Sequence, residues 1–558
     1  MTTREYVVTL HNFEDLESFY VDMETSGGNL YVPNREVSLA NRRPISRNTH
    51  YYLTDEEAEQ LRQDPRVQAV ELELAEAGYE IGPSWIQTST VWNKSNIVSA
   101  THKNWGILRC VEGSQRANWG SEVTPTAAGT VNVTASGKHV DVVVVDGHID
   151  PTHPEFAVNA DGTGGSRVIQ YNWLELAPVV TGLSSGTYTY GPYVDPSYPD
   201  TDLDGYSDRT VNNDHGCHVA GTVAGNTLGW ARDANIYNIA PYNSIPSYGL
   251  SGFDSSTHLD FVKYWHQNKP VNPVTGIKNP TISNHSYGVV ANVTTTNIAT
   301  VNYRGVTYTG PFSHAQLNNF GIYNTGTIAR LNVRSAAVEA DLVDLVSMGV
   351  VPVVAAGNSN ARIETVSVDP ASDYNNYLQT GLGVTVYYNR GTIGAVEGVI
   401  CVGAVDTTSV EQRVNYSNSG PRIDVYAPGT YIMSSVNSTI GVYSNDARNT
   451  SYYLTKKSGT SMATPQVAGV LACVAETWPT MKANQAIEYI AKTSKTSQLI
   501  DGTGGPSDPT DLQGSPNRYL FFVKQRPDAG QVSPKVNLGA RPDSGMVYPR
   551  PKIFKYGR

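Results

Sequence analysis

Three residues of this chain stand where side chains can do covalent chemistry together. Asp146 closes the apolar run VDVVVVD, which delivers a carboxylate to the end of a buried strand. His215 opens HGCHVAGTVAG, whose small residues let a helix pack closely on a sheet while the imidazole faces a cleft. Ser461 lies in SGTSMATPQVAGV, at the start of an apolar helix whose first N–H groups point toward a developing negative charge. Pro465, in the same run, is expected early enough in that helix for its missing N–H to do no harm. A hydroxyl beside a base, a carboxylate behind the base and donors for an oxyanion are the parts that acyl transfer needs.

The elements that must position these residues begin near Trp105. HVDVVVVD, ANIYNIAP, TISNHSYG, GVICVGAV and RIDVYAPG read as apolar strands, and HGCHVAGTVAG, SAAVEADLVDLVSMG and TSMATPQVAGVLACVAE as helices. Apolar strands alternating with helices predict an α/β, three-layer fold with a mainly parallel sheet covered on both faces. In such sheets active residues gather at the carboxyl ends of the strands. Residues 165–213 and 289–330 interrupt the rhythm and read as ordered insertions at the rim of the sheet.

The chain divides into four parts on this reading: an α+β domain over 1–75, a linker over 76–105 that holds the processing region, the main domain over 106–525 and a tail over 526–558. The first part reads β-α-β-α-β, with Thr54 as N-cap of the helix in TDEEAEQL and acidic residues in its first turn. In the tail, RPDAGQVSPK from Arg526 recurs as RPDSGMVYPR from Arg541, with seven Lys or Arg against two Asp, a net of +5. Rich in proline, it reads either as a spacer or as a docking tail that binds an assembly partner in extended form.

VVVVDGHIDPTHPEF, HGCHVAGTVAG and GTSMATPQVAG, in the order Asp, His, Ser, resemble the three active-site signatures of the subtilisin-like serine proteases. YVVTL and LTDEEAEQLRQDPRVQAVE resemble that family's propeptide, an inhibitor of the I9 kind. The resemblance implies a subtilisin-like fold and a serine endopeptidase that autoprocesses its propeptide. It makes Asp146, His215 and Ser461 the triad and gives the oxyanion to the Asn358 side chain and the Ser461 N–H. It makes Ser286, Tyr287 and Gly288, with Ala355, Ala356 and Gly357, the backbone edges that pair with a peptide or protein substrate. Three features depart from the family pattern. Gly147 stands where a hydroxyl usually follows the aspartate, Cys217 replaces a threonine and so sets a thiol near the imidazole, and NHSYG replaces a more apolar approach. A metal site of His215, Cys217 and His218 is the alternative reading; the three lie too close in sequence for an obvious tetrahedral set.

The remaining features bound the surroundings. A net charge of −11 argues against a general nucleic-acid partner. No apolar run is long enough to span a membrane, and MTTREYVVTL has no signal-peptide core, so the expectation is the cytoplasm or a virus particle rather than classical secretion. The four scattered cysteines read as free thiols. No organic cofactor is implied. Asp200, Asp202, Asp204 and Asp208 alternate in DTDLDGYSD as in calcium-binding loops, against the alternative of a plain acidic turn. A rival from another class is a structural or assembly protein that keeps a protease fold with weak or single-use activity. The calcium reading predicts that chelation lowers the melting temperature and the peptidase rate, both restored by added calcium; no change in either contradicts it.

Overall fold

The computed structural model describes residues 3–25, 27, 37–74, 76–77, 79–83, 105–112, 135–147, 149–159, 161–169, 171, 173–176, 179–180, 214–239, 257–407, 411–436, 444–504, 508 and 510–522. The chain divides into a unit over residues 1–524 and a second over 525–558, which includes the repeated tail and lies outside the described residues.

At the N-terminus, β1 (Arg4–Leu10), α1 (Leu16–Glu24), β2 (Ser38–Arg42), β3 (Asn48–Leu53), α2 (Asp55–Leu61) and β4 (Val67–Leu72) build a four-stranded antiparallel sheet in the order β2-β3-β1-β4. Strand β2 is an addition to the pattern read from the sequence. Val8, Phe19, Met23, Tyr51 and Leu53 form its own buried core. Helix α2 starts on a reciprocal cap, in which Thr54 Oγ1 accepts the Glu57 N–H and the Glu57 carboxylate accepts the Thr54 N–H.

Next in the chain, β5 (Tyr79–Pro83) occupies part of the stretch read as a linker, and α3 (Trp105–Glu112) follows it. The large sheet uses β6 (Asp141–Val145), β7 (Val168–Ile169), β8 (Asn235–Ile239) and β9 (Thr281–His285), with α4 (Asp214–Ala224) and α5 (Thr257–Asn268) between strands. Strands β10 (Tyr287–Thr294) and β11 (Ile328–Asn332) form a side sheet, followed by α6 (Ala336–Ser347), β12 (Val351–Ala355), β13 (Ile400–Val405) and β14 (Val425–Pro428). A hairpin of β15 (Ile432–Val436) and β16 (Asn449–Lys457) leads into α7 (Thr460–Thr477); α8 (Ala483–Thr493), β17 (Lys495–Thr496) and β18 (Arg518–Tyr519) close the fold.

The nine strands run in the order β17-β18-β14-β13-β12-β9-β6-β8-β7. All neighbours are parallel except β17 against β18. The central strands β6, β9, β12 and β13 are buried along their whole length, which is why β6, β12 and β13 read as apolar runs rather than alternating ones; β9, TISNH, is buried although polar at all but Ile282. Helix α7 lies along β9, β12, β13 and β14, and α6 packs against β12. The 289–330 insertion is ordered: strands at 298–303 and 306–309 join strands at 377–380 and 385–387 in an antiparallel sheet. No helix among the described residues is long and apolar enough to cross a membrane.

The N-terminal module sits on α5 and α6 through buried charges. Arg43 Nε donates to Asp260 Oδ2 at 2.7 Å and Arg43 Nη2 to Asp341 Oδ2 at 2.6 Å. Lys263 Nζ reaches Asp341 Oδ1 at 2.9 Å, Ser46 Oγ reaches the same oxygen at 2.7 Å, and Arg47 Nε reaches Asp344 Oδ1 at 3.3 Å. Arg43, Lys263, Asp260 and Asp341 are wholly inaccessible to solvent. Glu71 of β4 accepts the Ala337 N–H at the first turn of α6, where the helix dipole favours a carboxylate. Breaking one partner of a buried pair strands the other, at a cost of about 3–5 kcal/mol. Arg43→Met is therefore expected to lower the denaturation free energy of the uncleaved chain by about that amount; a loss below about 1 kcal/mol contradicts this account of the interface.

Candidate active site

Strand β6 carries Asp146 to the carboxyl end of the sheet, where the Asp146 N–H still bonds to Ile239 O at 3.0 Å. Its carboxylate is completely buried. Oδ1 accepts His215 Nδ1 at 2.6 Å and the Gly147 N–H at 2.7 Å. A carboxylate can only accept here, so the imidazole proton sits on Nδ1 and Nε2 is the basic nitrogen. Asp146 Oδ2 has no hydrogen-bond partner among the described residues. Gly147, the next residue, brings a backbone N–H but no hydroxyl. Gly216 allows α4 its approach: a Cβ there would lie 1.9 Å from Gly147 O.

Residues 217 and 218 turn elsewhere. The Cys217 thiol points at Ser435 Oγ, 3.7 Å away, and burial pushes its pKa up, so it stays a thiol. Two residues along a helix from His215, it faces a different side from the imidazole, contrary to the reading that set it near the base. His218 Nε2 donates to Ile432 O at 2.8 Å, and burial holds its imidazole far below the usual range and hence neutral. No group of three His, Cys, Asp or Glu side chains among the described residues is placed to hold a metal ion. All four cysteines are free and buried.

Ser461 is the second residue of α7. Gly459 caps the helix at φ 155°, ψ 162°, a region open essentially to glycine alone. Pro465 lies inside the hydrogen-bond ladder rather than ahead of it: its absent N–H is the one that would have bonded to Ser461 O. The Ser286 hydroxyl takes that carbonyl instead at 3.0 Å, and Ser461 Oγ donates to Ser286 O at 2.9 Å. Sequence reasoning assigned Ser286 only a backbone role; nothing local signals this reciprocal pair across 175 residues.

Asn358 follows β12. Its Oδ1 accepts both the Thr460 N–H and the Thr460 hydroxyl at 2.9 Å, which fixes the amide orientation. Nδ2 is thereby turned away from Thr460; it is shielded from solvent and has no hydrogen-bond partner among the described residues.

The two expected substrate edges fare differently. Tyr287 and Gly288 lie on β10, and β5 of the chain's own N-terminal region already pairs there, antiparallel, with Tyr287 opposite Pro83 and Gly288 opposite Gly82. The Tyr287 ring is buried, its hydroxyl 2.9 Å from His258 Nε2 and 3.0 Å from His285 Nδ1. Ala355, Ala356 and Gly357 offer no strand edge. Ala355 pairs with Val402 in the core sheet, Ala356 N–H bonds to Val402 O, and Gly357 N–H bonds to Thr460 Oγ1. Ala356 O and Gly357 O are taken by Asn418. The expected calcium ligands Asp200, Asp202, Asp204 and Asp208 lie outside the described residues.

The model of the subtilase family matches residues 137–518. The chain belongs to the subtilase family of serine proteases. Its relatives include the alkaline serine exoprotease A of Vibrio alginolyticus, 24% identical over 381 residues that make up 68% of this chain and 49% of that protein. Proteinase R of Parengyodontium album is 27% identical over 70% of this chain and 68% of its own length. The chain thus spans about half to two thirds of the length of these relatives. Among solved structures, fervidolysin of Fervidobacterium pennivorans, a keratinolytic enzyme related to subtilisin, aligns with a TM-score of 0.47 at 18% identity, covering 92% of this chain and 60% of that one.

Within this subtilase α4 fits beneath the Asp146 turn with no room for a side chain at residue 216. Gly216→Ala forces the helix head away from Gly147. A displacement of about 1 Å at such a centre costs on the order of 100-fold in rate. The expected result is a kcat loss of at least about tenfold with a folded protein, and near-normal turnover contradicts the close-approach argument.

Proposed function

We propose that this subtilase is a serine endopeptidase in which Ser461 is the nucleophile, His215 the general base and acid, Asp146 the group that orients the imidazole, and Asn358 the side-chain oxyanion donor. The observation that carries this reading is the buried hydrogen bond from His215 Nδ1 to Asp146 Oδ1 at 2.6 Å.

In the first step Ser461 Oγ attacks the scissile carbonyl carbon while its proton passes to His215 Nε2. The carbonyl π electrons move to oxygen, and that oxyanion is received by Asn358 Nδ2 and the Ser461 N–H. The imidazolium lies against Asp146, whose carboxylate stabilises it without taking its proton. Collapse of the tetrahedral intermediate breaks the C–N bond and returns the proton from Nε2 to the leaving amine. Water then repeats the sequence on the acyl-enzyme, with His215 taking one water proton and giving it back to Ser461 Oγ. Removing one oxyanion donor costs roughly 100- to 1,000-fold in other serine proteases, which sets the scale expected for Asn358.

The N-terminal module acts as an inhibitory propeptide in this reading. Strand β5 lies on the Tyr287–Gly288 edge, where an extended substrate would add a strand. The other side of the processing region is anchored in the body: Trp105 Nε1 donates to Thr430 O at 2.9 Å, and Arg109 pairs with Glu411. The bond that is cut then lies after Pro83 and before Trp105, within the 76–105 linker.

Comparing intact masses of wild type and Ser461→Ala tests both parts. The wild type is expected to give a new N-terminus between residues 84 and 105, and Ser461→Ala to keep the full 60.4 kDa mass. Two uncut chains would favour a structural protein with a protease fold, and cutting in both would remove Ser461 from the reaction.

A further inference from the structure

The oxyanion donor proposed above sits in a turn, and a turn left to itself does not hold an amide nitrogen within a few tenths of an ångström. Thr460 pins the Asn358 side chain from one side. Besides the bonds of Ala356 N–H to Val402 O, Gly357 N–H to Thr460 Oγ1 and Asn360 N–H to Tyr416 O, one buried amide from a distant segment bridges the backbone on both sides of it. Asn418 is completely inaccessible to solvent and lies between β13 and β14. Its Nδ2 donates to Ala356 O at 2.7 Å, two residues before Asn358. Its Oδ1 accepts the N–H of Ser359 at 3.0 Å and that of Ala361 at 2.8 Å, just after Asn358. Its own N–H donates to Gly357 O at 2.9 Å. The second Nδ2 hydrogen goes to Asn332 Oδ1 at 2.8 Å, tying the clamp to the end of β11.

We propose that Asn418 is a positioning residue for the oxyanion site: it straddles Asn358 and fixes the direction of its Nδ2. This inference rests on the reading of Asn358 as an oxyanion donor. Every hydrogen-bonding capacity of the Asn418 side chain is used, two donated and two accepted, and only an amide of this length supplies both at this spacing. An aspartate keeps the acceptor for Ser359 and Ala361 but sets lone pairs against Ala356 O and Asn332 Oδ1. Gly357 completes the fit. Its φ is +102°, and a Cβ there would lie 2.6 Å from Asn418 Nδ2, so the amide and the missing side chain match each other. Asn418 touches no reacting atom, and its effect passes through residue 358.

A positioning role differs from a merely structural one in how it combines with Asn358. The experiment is a double-mutant cycle on the processed protein, with sites titrated by a fluorophosphonate and two readouts: kcat on fluorescent casein and the rate constant of fluorophosphonate inactivation. Asn358→Ala alone is expected to lower kcat by roughly 100- to 1,000-fold. Asn418→Asp is expected to lower kcat and the inactivation rate by roughly tenfold or more with KM little changed, by displacement of the donor. Added to Asn358→Ala, it is expected to cost less than about twofold, because neighbours in one network are not additive. Asn332→Ala, which removes one anchor of Asn418 and leaves the bonds from Asn418 to the turn in place, repeats the cycle at smaller amplitude and serves if the first variant folds poorly. Losses that multiply in the double variants, or that fall on KM or on the titratable fraction alone, overturn the proposal. A silent Asn358→Ala in an active enzyme overturns the assignment of Asn358 and this inference with it. Absence of any fluorophosphonate adduct in the wild type marks instead the failure of the protease reading.

Discussion

A carboxylate buried after four successive valines costs several kcal/mol unless its charge is met, and Asp146 is met by one imidazole nitrogen and one backbone N–H. The rest of the site is arranged around that pair. The strand has parallel neighbours on both sides, so the carboxylate cannot retreat. The imidazole must come to it, and it comes on a helix whose third residue is glycine because no side chain fits there against Gly147 O. The family's usual hydroxyl after the aspartate is absent, and one carboxylate oxygen is left with no partner among the described residues. Asp146 is therefore held by fewer bonds than its burial would lead one to expect, which concentrates its interaction on His215.

The serine side is built by a chain of substitutions for missing backbone bonds. Pro465 removes the N–H that would have tied Ser461 O into the helix, and the Ser286 hydroxyl takes its place. Gly459 lets the chain turn sharply into α7, and the Thr460 that follows orders Asn358 with both its N–H and its hydroxyl. Two groups stand out, a carbonyl claimed from outside the helix and an amide nitrogen with no partner among the described residues. In the proposed reaction the first stiffens the residue that carries the nucleophile, and the second is the unsatisfied donor kept for a charge that appears only during reaction.

The parts legible in the sequence were those with a local cause. Asp146, His215 and Ser461 each sit at the edge of an apolar run or in a small-residue helix, and the parallel sheet follows from strands with no alternation. The capping of α2 at Thr54 was equally local. What escaped was long-range. Ser286 and Ser461 meet across 175 residues, and Asn418 reaches Ala356 across 62, with no pattern in SNSG to announce it. Strand β5, YEIGP, has neither alternation nor length, and only its partner β10 makes it a strand. The Ala355–Gly357 segment spends backbone groups inside the protein on Val402, Thr460 and Asn418, bonds that no local pattern signals. The N-terminal module was read from its elements, but its attachment through Arg43 and Arg47 depends on carboxylates of α5 and α6 more than two hundred residues away.

These parts make one account: a buried Asp–His pair, a serine at the head of a helix and a side-chain amide held for the oxyanion, with the chain's own strand lying on the β10 edge of the site. Its central claim is that His215 activates Ser461. The most direct measurement is peptide mapping of the processed protein after reaction with a fluorophosphonate, with His215→Ala alongside. The account predicts a single adduct on Ser461 in the wild type and a rate of labelling that falls by orders of magnitude in the variant. An unlabelled Ser461 in folded, processed wild type, or equal labelling rates in the two proteins, would contradict it.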